Sequence, residues 1–288
     1  MDLNEYQRRA AATDQRDDPT DLRIPLLGLA GEVGELVSEY KKRIRSDSFH
    51  SGFEAAIEEE LGDLLWYVAA VARSANLSLS EIAAANLSKV QDVFGDELRP
   101  PSRYDEEFPD DQRFPRQFTI KLATWQKDGI ERVQMMLDGE PLGADLDDNT
   151  YVDDAYRFHD VLHLANAAVL GWSPTLRSLM KRKRRNDEDI DRVEDGGRAI
   201  AIEKGLVAYL FTEAREVGFF EGADRVSWDL IKTLRRMTAH LEVGDQPHIA
   251  WQSAILQGFA AWRHITAANG GTVRCDLDQR TVEVLDGT

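Results

Sequence analysis

Cysteine is nearly absent from this chain of 288 residues, in which Cys275 stands alone. A single cysteine excludes an intramolecular disulfide framework and favours a reducing compartment. No run approaches the ~18 apolar residues that a membrane-spanning helix needs, and the first residues hold no apolar stretch of the kind found in secretory signals. We therefore expect a cytoplasmic protein without a membrane segment.

Basic residues are also scarce, because 35 Lys and Arg stand against 52 Asp and Glu and give a formal net charge of −17. Surfaces that bind nucleic acid are normally basic, so the composition argues against nucleic acid as a partner. The hydrophobic fraction of 42% fits a globular protein. A chain of this length typically holds about two domains, each with a sizeable core.

The first third of the chain predicts four helices. Asn4 is expected to cap a short helix that ends near Ala12, and Pro25 fits the first turn of a long helix ending near Arg45. A second long helix follows over 53–76. Ser78 and Glu81 form a capping box for a further helix, which Gly95 is expected to end.

The rest of the chain changes character twice. Prolines among acidic residues predict a linker over 99–115. The second region, 116–288, is predicted to be helical, with β-hairpins near 116–137 and 272–285. An isolated hairpin is only marginally stable, so we expect the two hairpins to pack together or against the helices of this region.

Two pairs of carboxylates are the most informative feature of the first third. Glu32 and Glu35 are spaced i, i+3 on one predicted helix, and Glu60 and Asp63 on the next, so each pair projects from one helix face. The flanking positions are apolar: Leu26, Leu29, Val33, Leu36 and Val37, then Ile57, Leu61, Leu64, Leu65 and Val68. Carboxylates beside a core are costly to desolvate unless they are paired or bind metal. Four such oxygen donors suit a hard divalent cation, above all Mg²⁺, and ordinary surface acids are the structural alternative.

This arrangement resembles the MazG-like nucleoside triphosphate pyrophosphohydrolases of the all-α NTP pyrophosphatase superfamily. The resemblance rests on ExxE followed by ExxD in IPLLGLAGEVGELVSEYKK and EEELGDLLWYVAAVA, with NEYQRRAAATD before them and AANLSKVQDVFGDE after them. It covers roughly residues 1–98 and implies a helical bundle there. The expected fold class is thus mainly α: a MazG-like domain over 1–98, the linker over 99–115, and a second helical domain over 116–288 with small hairpins.

The resemblance implies a reaction and a cofactor. A nucleoside triphosphate would be hydrolysed between its α and β phosphates, giving the monophosphate and pyrophosphate. By match to the family motif, Glu32, Glu35, Glu60 and Asp63 would hold Mg²⁺, with Mn²⁺ as a substitute ion. The family usually assembles its active site between subunits, and this first domain has too few helices to enclose a nucleotide, so we expect a homodimer or higher homo-oligomer.

Other residues take roles by the same resemblance. Glu59 and Glu39 lie near the acidic face, and either could orient the attacking water. Asn86 and Lys89, spaced i, i+3, would face the phosphates, although Lys89 could equally be a solvated surface lysine. Lys41 and Lys42 are weaker candidates of the same kind.

The base of the nucleotide also has candidate contacts. Trp66 follows Asp63 by one helical step and could line the base pocket, although a tryptophan on an apolar helix is more often part of a core. Gln7 and Tyr6 occupy positions from which the first helix of the family approaches the base.

A second candidate site lies in the second region. His159 and His163 are spaced i, i+4 with Asp160 beside them, a spacing by which one helix offers two metal ligands, and Glu203 could complete the set. The basic run 181–185 could then hold phosphates. In the structural alternative the histidines belong to a core and the basic run is a helix C-terminus favoured by the helix dipole.

Three functions remain open at this point. The first is an enzyme that hydrolyses NTPs or dNTPs with Mg²⁺. The second is a nucleotide-sensing or regulatory binding protein with little turnover, and the third is a scaffold that serves assembly only. The four carboxylates argue against the scaffold, and a measurement of turnover separates the other two.

Overall fold

The computed structural model describes residues 1–46, 52–94 and 103–285. The chain divides into two units, Met1–Gln91 and Asp92–Thr288. Within the described residues no helix is both long enough and apolar enough to cross a membrane.

Among its described residues the first unit has four helices, as the sequence predicts. They are α1 (Leu3–Ala11), α2 (Arg23–Ser46), α3 (Phe53–Ser74) and α4 (Leu79–Phe94). The Ser78 half of the expected capping box is present, because Ser78 Oγ accepts a hydrogen bond from the backbone N–H of Glu81 at 3.3 Å. The expected helix end at Gly95 and most of the expected loop over 46–52 lie outside the described residues.

The cap of α1 differs from the expectation. Asp2 caps this helix, since its side chain accepts a hydrogen bond from the backbone N–H of Glu5 at 2.8 Å. Asn4 lies inside the helix, and its side-chain oxygen accepts a hydrogen bond from Ser78 Oγ at 2.8 Å. Asn4 therefore ties α1 to the start of α4 instead of capping α1.

The core of the first unit is small. Among its described residues, the buried hydrophobic side chains are four alanines and one leucine: Ala10, Ala69, Ala70, Ala72 and Leu79. The expectation that the carboxylates of α2 lie beside a core holds only in part, because Leu29 and Leu36 are half-buried whereas Leu26, Val33 and Val37 are exposed. Large apolar side chains of α2 thus stay exposed among the described residues of this unit.

The second unit contains a five-stranded antiparallel sheet. Its strands are β1 (Gln117–Lys127), β2 (Ile130–Leu137), β3 (Glu140–Leu146), β4 (Gly271–Asp276) and β5 (Thr281–Leu285), in the order β3-β2-β1-β4-β5. Ile120 pairs with Leu137 on β2 and with Val273 on β4. The two expected hairpins therefore do pack together, through β1 and β4. The sequence did not predict β3, which adds an edge strand.

Six α-helices accompany the sheet in the part of this unit that the structure describes. They are α5 (Asp160–Ala165), α6 (Pro174–Leu179), α7 (Glu188–Val193), α8 (Gly197–Glu216), α9 (Trp228–Met237) and α10 (His248–Ala267). The helix expected over 155–171 consists of three pieces: a 3₁₀ turn at Tyr156–Phe158, then α5, then a π-helical stretch over Asn166–Leu170. Phe259 and Ile265 of α10 belong to the same buried cluster as Ile120 and Val273 of the sheet.

The expectation of a linker over 99–115 does not describe residues 103–115. Phe114 is buried in the core of the second unit. Asp105, 2% exposed, accepts hydrogen bonds from the backbone N–H of Phe114 and from Arg177 Nη2, both at 2.9 Å, and forms an ion pair with Arg116. The acidic and proline-rich composition was misleading because a buried carboxylate is stabilised by two guanidinium groups that come from later in the chain.

Candidate active site

Close packing of α2 against α3 brings the two carboxylate pairs together. Gly28 is the point of closest approach: a Cβ atom there would lie 2.1 Å from Cε1 and 2.3 Å from Cζ of Tyr67. The ring of Tyr67 therefore lies directly on the backbone of α2, which only a glycine permits at this position. Four residues further along α2, Glu32 faces α3.

Three of the four predicted ligands converge on α2 and α3. Carboxylate oxygens of Glu32, Glu60 and Asp63 lie within 4.8 Å of one another. Oxygens around one octahedral Mg²⁺ are at most about 4.2 Å apart, since each lies about 2.1 Å from the ion. A small side-chain adjustment would thus bring the three into one coordination shell, so the residues fit the ion.

The electrostatics of the cluster also indicate a cation site. Partial desolvation and then the negative charges of Asp63 and Glu35 raise the pKa of Glu32. Desolvation raises the pKa of Glu60 as well, followed by the charges of Glu35 and Glu32. The charge of Glu35 therefore acts on Glu32 and Glu60 even though its oxygens lie outside the group of three. Like charges held together in this way are relieved by a divalent cation.

Glu39 and Glu59, the two candidates for orienting the attacking water, have different surroundings. Lys42 donates a hydrogen bond to the half-buried carboxylate of Glu39. That bond raises the pKa of Lys42, with smaller contributions from the charges of Glu60 and Glu35. Glu59 is exposed. Lys42 thus lies beside the acidic cluster, where it can balance part of its charge.

Trp66 and Tyr67 line a cleft of about 340 Å³ in the first unit. The other lining residues come from the loop after α1 and the start of α2: Thr13, Asp14, Gln15, Arg16, Ile24 and Pro25. The indole N–H of Trp66 donates to Thr13 Oγ1 at 2.8 Å, and the rings of Trp66 and Tyr67 meet edge to face at 5.0 Å. A cleft of this size and mixed polarity can hold a nucleobase.

The sequence predicts a loop between α1 and α2, but not that this loop forms one wall of the cleft. Arg16 forms hydrogen bonds to Asp14 at 2.6–3.1 Å, and Arg73 of α3 pairs with the same carboxylate. The loop is therefore held against α3 by a three-membered ion network. The signal in the sequence was a short polar segment with alternating charges, which is common in ordinary loops as well.

The remaining predicted residues of the first site are placed differently. Burial and the charge of Asp63 raise the pKa of Tyr6, so its side chain lies near the cluster. Gln7 donates to the backbone C=O of Leu77 at 2.8 Å and accepts from the backbone N–H of Leu79 at 2.9 Å, so its amide joins α1 to the turn before α4. Asn86 is exposed on α4, and the side chain of Lys89 lies outside the described part of the structure.

The second predicted cluster is brought together in the second unit. One ligand atom each of His159, Asp160 and His163 lies within 4.8 Å of the other two. His163 Nδ1 lies 2.8 Å from Glu203 Oε1. Burial opposes charge on both groups, but the attraction between them raises the pKa of His163 and lowers that of Glu203.

The basic run 181–185 takes a structural role at its centre. Arg184 is fully buried, and its guanidinium donates to Asp195 at 2.7 and 3.1 Å and to Glu242 at 2.7 and 2.9 Å. Arg182 donates to the backbone C=O of Asp110 at 2.6 Å. These two arginines thus hold the second unit together instead of facing a phosphate. The run follows the end of α6 at Leu179, so it is not the helix C-terminus of the structural alternative.

Comparison with known proteins identifies both units. The family described as the MazG nucleotide pyrophosphohydrolase domain matches residues 24–93, and the family described as the MazG C-terminal domain matches residues 99–288. The chain belongs to the MazG family. As a MazG protein it is a nucleoside triphosphate pyrophosphohydrolase, and the match over 24–93 contains both carboxylate pairs.

A curated relative supports this assignment. The Gene 37 protein of Mycobacterium phage L5 is 37% identical to this MazG protein over 77 residues, which are 26% of this chain and 68% of the phage protein. No solved structure gives a significant match. MazG-type hydrolases typically use divalent metals, in keeping with the acidic cluster on α2 and α3.

Proposed function

We propose that the protein hydrolyses nucleoside triphosphates, of the NTP or dNTP class, to the monophosphate and pyrophosphate with Mg²⁺ held by Glu32, Glu35, Glu60 and Asp63. The observation that carries the proposal is the convergence of carboxylate oxygens of Glu32, Glu60 and Asp63 within 4.8 Å. Glu35 completes the set as an outer member.

Charge explains why the proposed site needs the ion. A triphosphate is strongly anionic and approaches a cluster of four acids in a chain of net charge −17, so the two repel unless cations lie between them. Bound Mg²⁺ would neutralise phosphate oxygens, polarise the α-phosphorus and lower the pKa of a bound water. Lys42, beside the cluster, would add a fixed positive charge at the edge of the site.

The protein groups would then position the substrate and the water. We assign the base to the cleft beside Trp66 and Tyr67, since stacking on an aromatic ring suits any base. We assign the phosphates to the side that carries Asn86 and Lys89. Glu59 is our choice for orienting the attacking water, because it is exposed whereas the carboxylate of Glu39 is engaged by Lys42.

The test is product analysis on a panel of NTPs and dNTPs with Mg²⁺. The parent should release monophosphate and pyrophosphate, and the double variant Glu35→Gln, Glu60→Gln should lose this activity at least a hundredfold. A control double variant, Glu54→Gln and Glu58→Gln, changes two exposed acids of α3 and should keep the activity. Tight binding without turnover in the parent would favour the sensor, and equal losses in both double variants would refute the assigned ligands.

We also propose that the protein is a homo-oligomer in which α2 meets a second copy. Exposed apolar residues recur along one face of this helix: Leu26, Val33, Val37, Tyr40 and Ile44. Their spacing of 3, 4 or 7 residues places them in one stripe, about 27 Å long at 1.5 Å per residue. Leu61, Leu65 and Val68 form a shorter exposed stripe on α3.

The small core of the first unit points the same way. Four alanines and one leucine bury too little apolar surface to stabilise about 90 residues, and an exposed stripe of this length normally marks an interface. A second copy is the partner that every preparation contains. The same surfaces would then cover each other by two-fold symmetry.

Light scattering at a fixed concentration tests this assembly. The parent should have at least twice the mass of one 32.5 kDa chain, and Val37→Asp should dissociate it because a charge would be buried at the interface. Ser38→Asp, at an exposed position off the stripe, is the control. A parent of 32.5 kDa that is active, or a Val37→Asp variant with unchanged mass, would contradict the proposal.

A further inference from the structure

A group of histidines and a carboxylate in the second unit has no part in the proposed reaction. His159, Asp160 and His163 lie at the start of α5, and one ligand atom from each is within 4.8 Å of the others. His159 Nε2 lies 3.7 Å from Asp160 Oδ1. Two ligands about 2.1 Å from a tetrahedral metal ion lie about 3.4 Å apart, so this pair is already close to a ligating separation.

The hydrogen bonds of His163 leave one of its nitrogens available. A carboxylate can only accept, so Nδ1 donates its proton to Glu203 Oε1 at 2.8 Å. The other oxygen of Glu203 accepts from the backbone N–H of Thr175 at 2.9 Å. Both partners are enclosed, with His163 1% and Glu203 0% exposed. Within the described residues, the buried Nε2 of His163 has no hydrogen-bond partner.

His159 is held in the same sense. Its Nδ1 lies 2.8 Å from the backbone C=O of Tyr156, which can only accept, so Nδ1 donates and Nε2 remains as a lone-pair donor. The ring is fixed by stacking on Tyr156, with centroids 4.2 Å apart and planes 10° from parallel. Both histidines thus have one nitrogen locked by an acceptor, which is how proteins prepare imidazole ligands.

We propose that His159, Asp160 and His163 form a centre for a divalent transition-metal ion, with Glu203 as the positioning residue of His163. Two imidazoles and one carboxylate suit Zn²⁺, Fe²⁺ or Co²⁺ better than Mg²⁺, which prefers oxygen ligands. Three protein ligands leave coordination positions open for water or a substrate. Since His159 and Asp160 retain some exposure, such a ligand can reach the ion.

A purely structural ion pair explains less of the geometry. It accounts for the contact between His163 and Glu203, but it leaves the buried Nε2 of His163 without a partner. It also gives no reason for His159 and Asp160 to converge on the same point. A metal ion satisfies all three groups together, and it makes this centre chemically distinct from the all-oxygen cluster on α2 and α3.

The test measures metal content and needs no activity. The full chain carrying Glu60→Gln and Asp63→Asn, which remove the first cluster, is stripped with a chelator and titrated with Zn²⁺ or Co²⁺ in the presence of excess Mg²⁺. We expect about one Zn²⁺ per chain by elemental analysis. Co²⁺ should give the visible absorption of a four- or five-coordinate nitrogen-and-oxygen site.

Variants in the same background decide whether these residues are the ligands. His159→Gln and Asp160→Asn should weaken Zn²⁺ binding at least tenfold, and Glu203→Gln about 10- to 100-fold. His240→Gln, at an exposed histidine of the same unit, should leave it unchanged. His159→Gln and Asp160→Asn alter partly exposed side chains, so circular dichroism should show that they fold even if a His163 variant does not.

Three results would overturn the proposal. One is a parent that retains no Zn²⁺ or Co²⁺. Another is a pair of folded His159→Gln and Asp160→Asn variants with the affinity of the parent. The third is a His240→Gln variant that loses as much affinity as they do, since the ion would then lie elsewhere. Because hydrolysis of nucleotides is not measured, the result is independent of the function proposed for the first unit.

Discussion

Replacing Gly28 with alanine tests the helix packing that assembles the candidate active site. In an exposed helix interior the change from glycine to alanine stabilises by about 1 kcal/mol. At Gly28, however, the new Cβ would lie 2.1 Å from Cε1 of Tyr67, whereas ordinary contacts are about 3.5–4.0 Å. The ring must move by more than 1 Å, and its neighbour Trp66 limits that movement.

Overpacking of this severity belongs at the upper end of its usual range, about 3 kcal/mol. Subtracting the helix-propensity gain of about 1 kcal/mol, we expect Gly28→Ala to destabilise the first unit by about 2 kcal/mol. Gly31→Ala is the matched control, because among the described residues no atom beyond the adjoining backbone of α2 lies within 4 Å of the new Cβ there. It should stabilise by about 0.5–1 kcal/mol.

Hydrogen exchange of the α2 and α3 amides, at one protein concentration, measures both changes directly. Adding Tyr67→Ala to Gly28→Ala removes the clash and should make the glycine-to-alanine change favourable in that background. If Gly28→Ala stabilised these helices as much as Gly31→Ala, the packing of α2 against α3 described above would be refuted.

Three further predictions concern charge and accessibility. Asp105→Asn should destabilise the second unit by about 3 kcal/mol at pH 7. It removes the carboxylate that pairs with Arg177 and Arg116, and among the described residues it leaves the buried Arg177 with Asp195, at 3.7 Å, as its acidic partner. Burial alone would raise the pKa of Asp105, but the charge of Arg177 and the bond from Phe114 hold it below its ordinary value. The stabilisation by the Asp105 carboxylate is therefore present above about pH 4, the unfolded pKa, and is lost on further acidification. The urea midpoints of parent and variant should converge at such low pH, and a gap that stays constant with pH would contradict the assignment. Glu60→Gln should raise the thermal stability of the first unit in chelator, since it relieves repulsion among like charges, and lower it in Mg²⁺; the same sign in both conditions would argue against a shared cation. Cys275 is fully buried, and burial raises its pKa to about 12. A thiol reagent at pH 8 should therefore react with Cys275 only after denaturant is added. Rapid reaction with the native protein would contradict this burial.

The sequence predicted most elements because their signals are local. The capping box at Ser78, the long amphipathic helices and the two hairpins depend on residues close in the chain. The strand β3 was missed because its pattern of mostly exposed residues lacks the alternation of a half-buried strand. The cap of α1 was assigned to Asn4 instead of Asp2 because both residue types are good caps and the sequence does not distinguish them.

The apolar stripe of α2 shows what periodicity cannot distinguish. Leu26, Val33 and Val37 have the spacing of a core-facing helix, yet they are exposed within the chain. A helix face that packs on its own domain and one that packs on another copy have the same period. Only the tertiary structure shows that Leu29 and Leu36 are half-buried and that the stripe is exposed.

Site residues were predicted where one helix carries them and missed where distant segments meet. Glu60 and Asp63 share a face by spacing alone, and so do His159 and His163. The wall of the cleft at Thr13–Arg16 depends on Arg73, about sixty residues away. Glu203 was named as a member of the second site, but spacing did not predict that α8 places its carboxylate against His163 Nδ1.

In the proposed reaction, the carboxylates of α2 and α3 direct water to the α-phosphorus of a nucleoside triphosphate. Hydrolysis in ¹⁸O-labelled water, with mass analysis of both products, shows which phosphorus the water attacks. We predict that the label enters the monophosphate and is absent from pyrophosphate, and that Glu60→Gln stops its incorporation while Glu58→Gln does not. Release of a nucleoside diphosphate and phosphate, label in pyrophosphate, or undiminished turnover by Glu60→Gln would contradict this reaction.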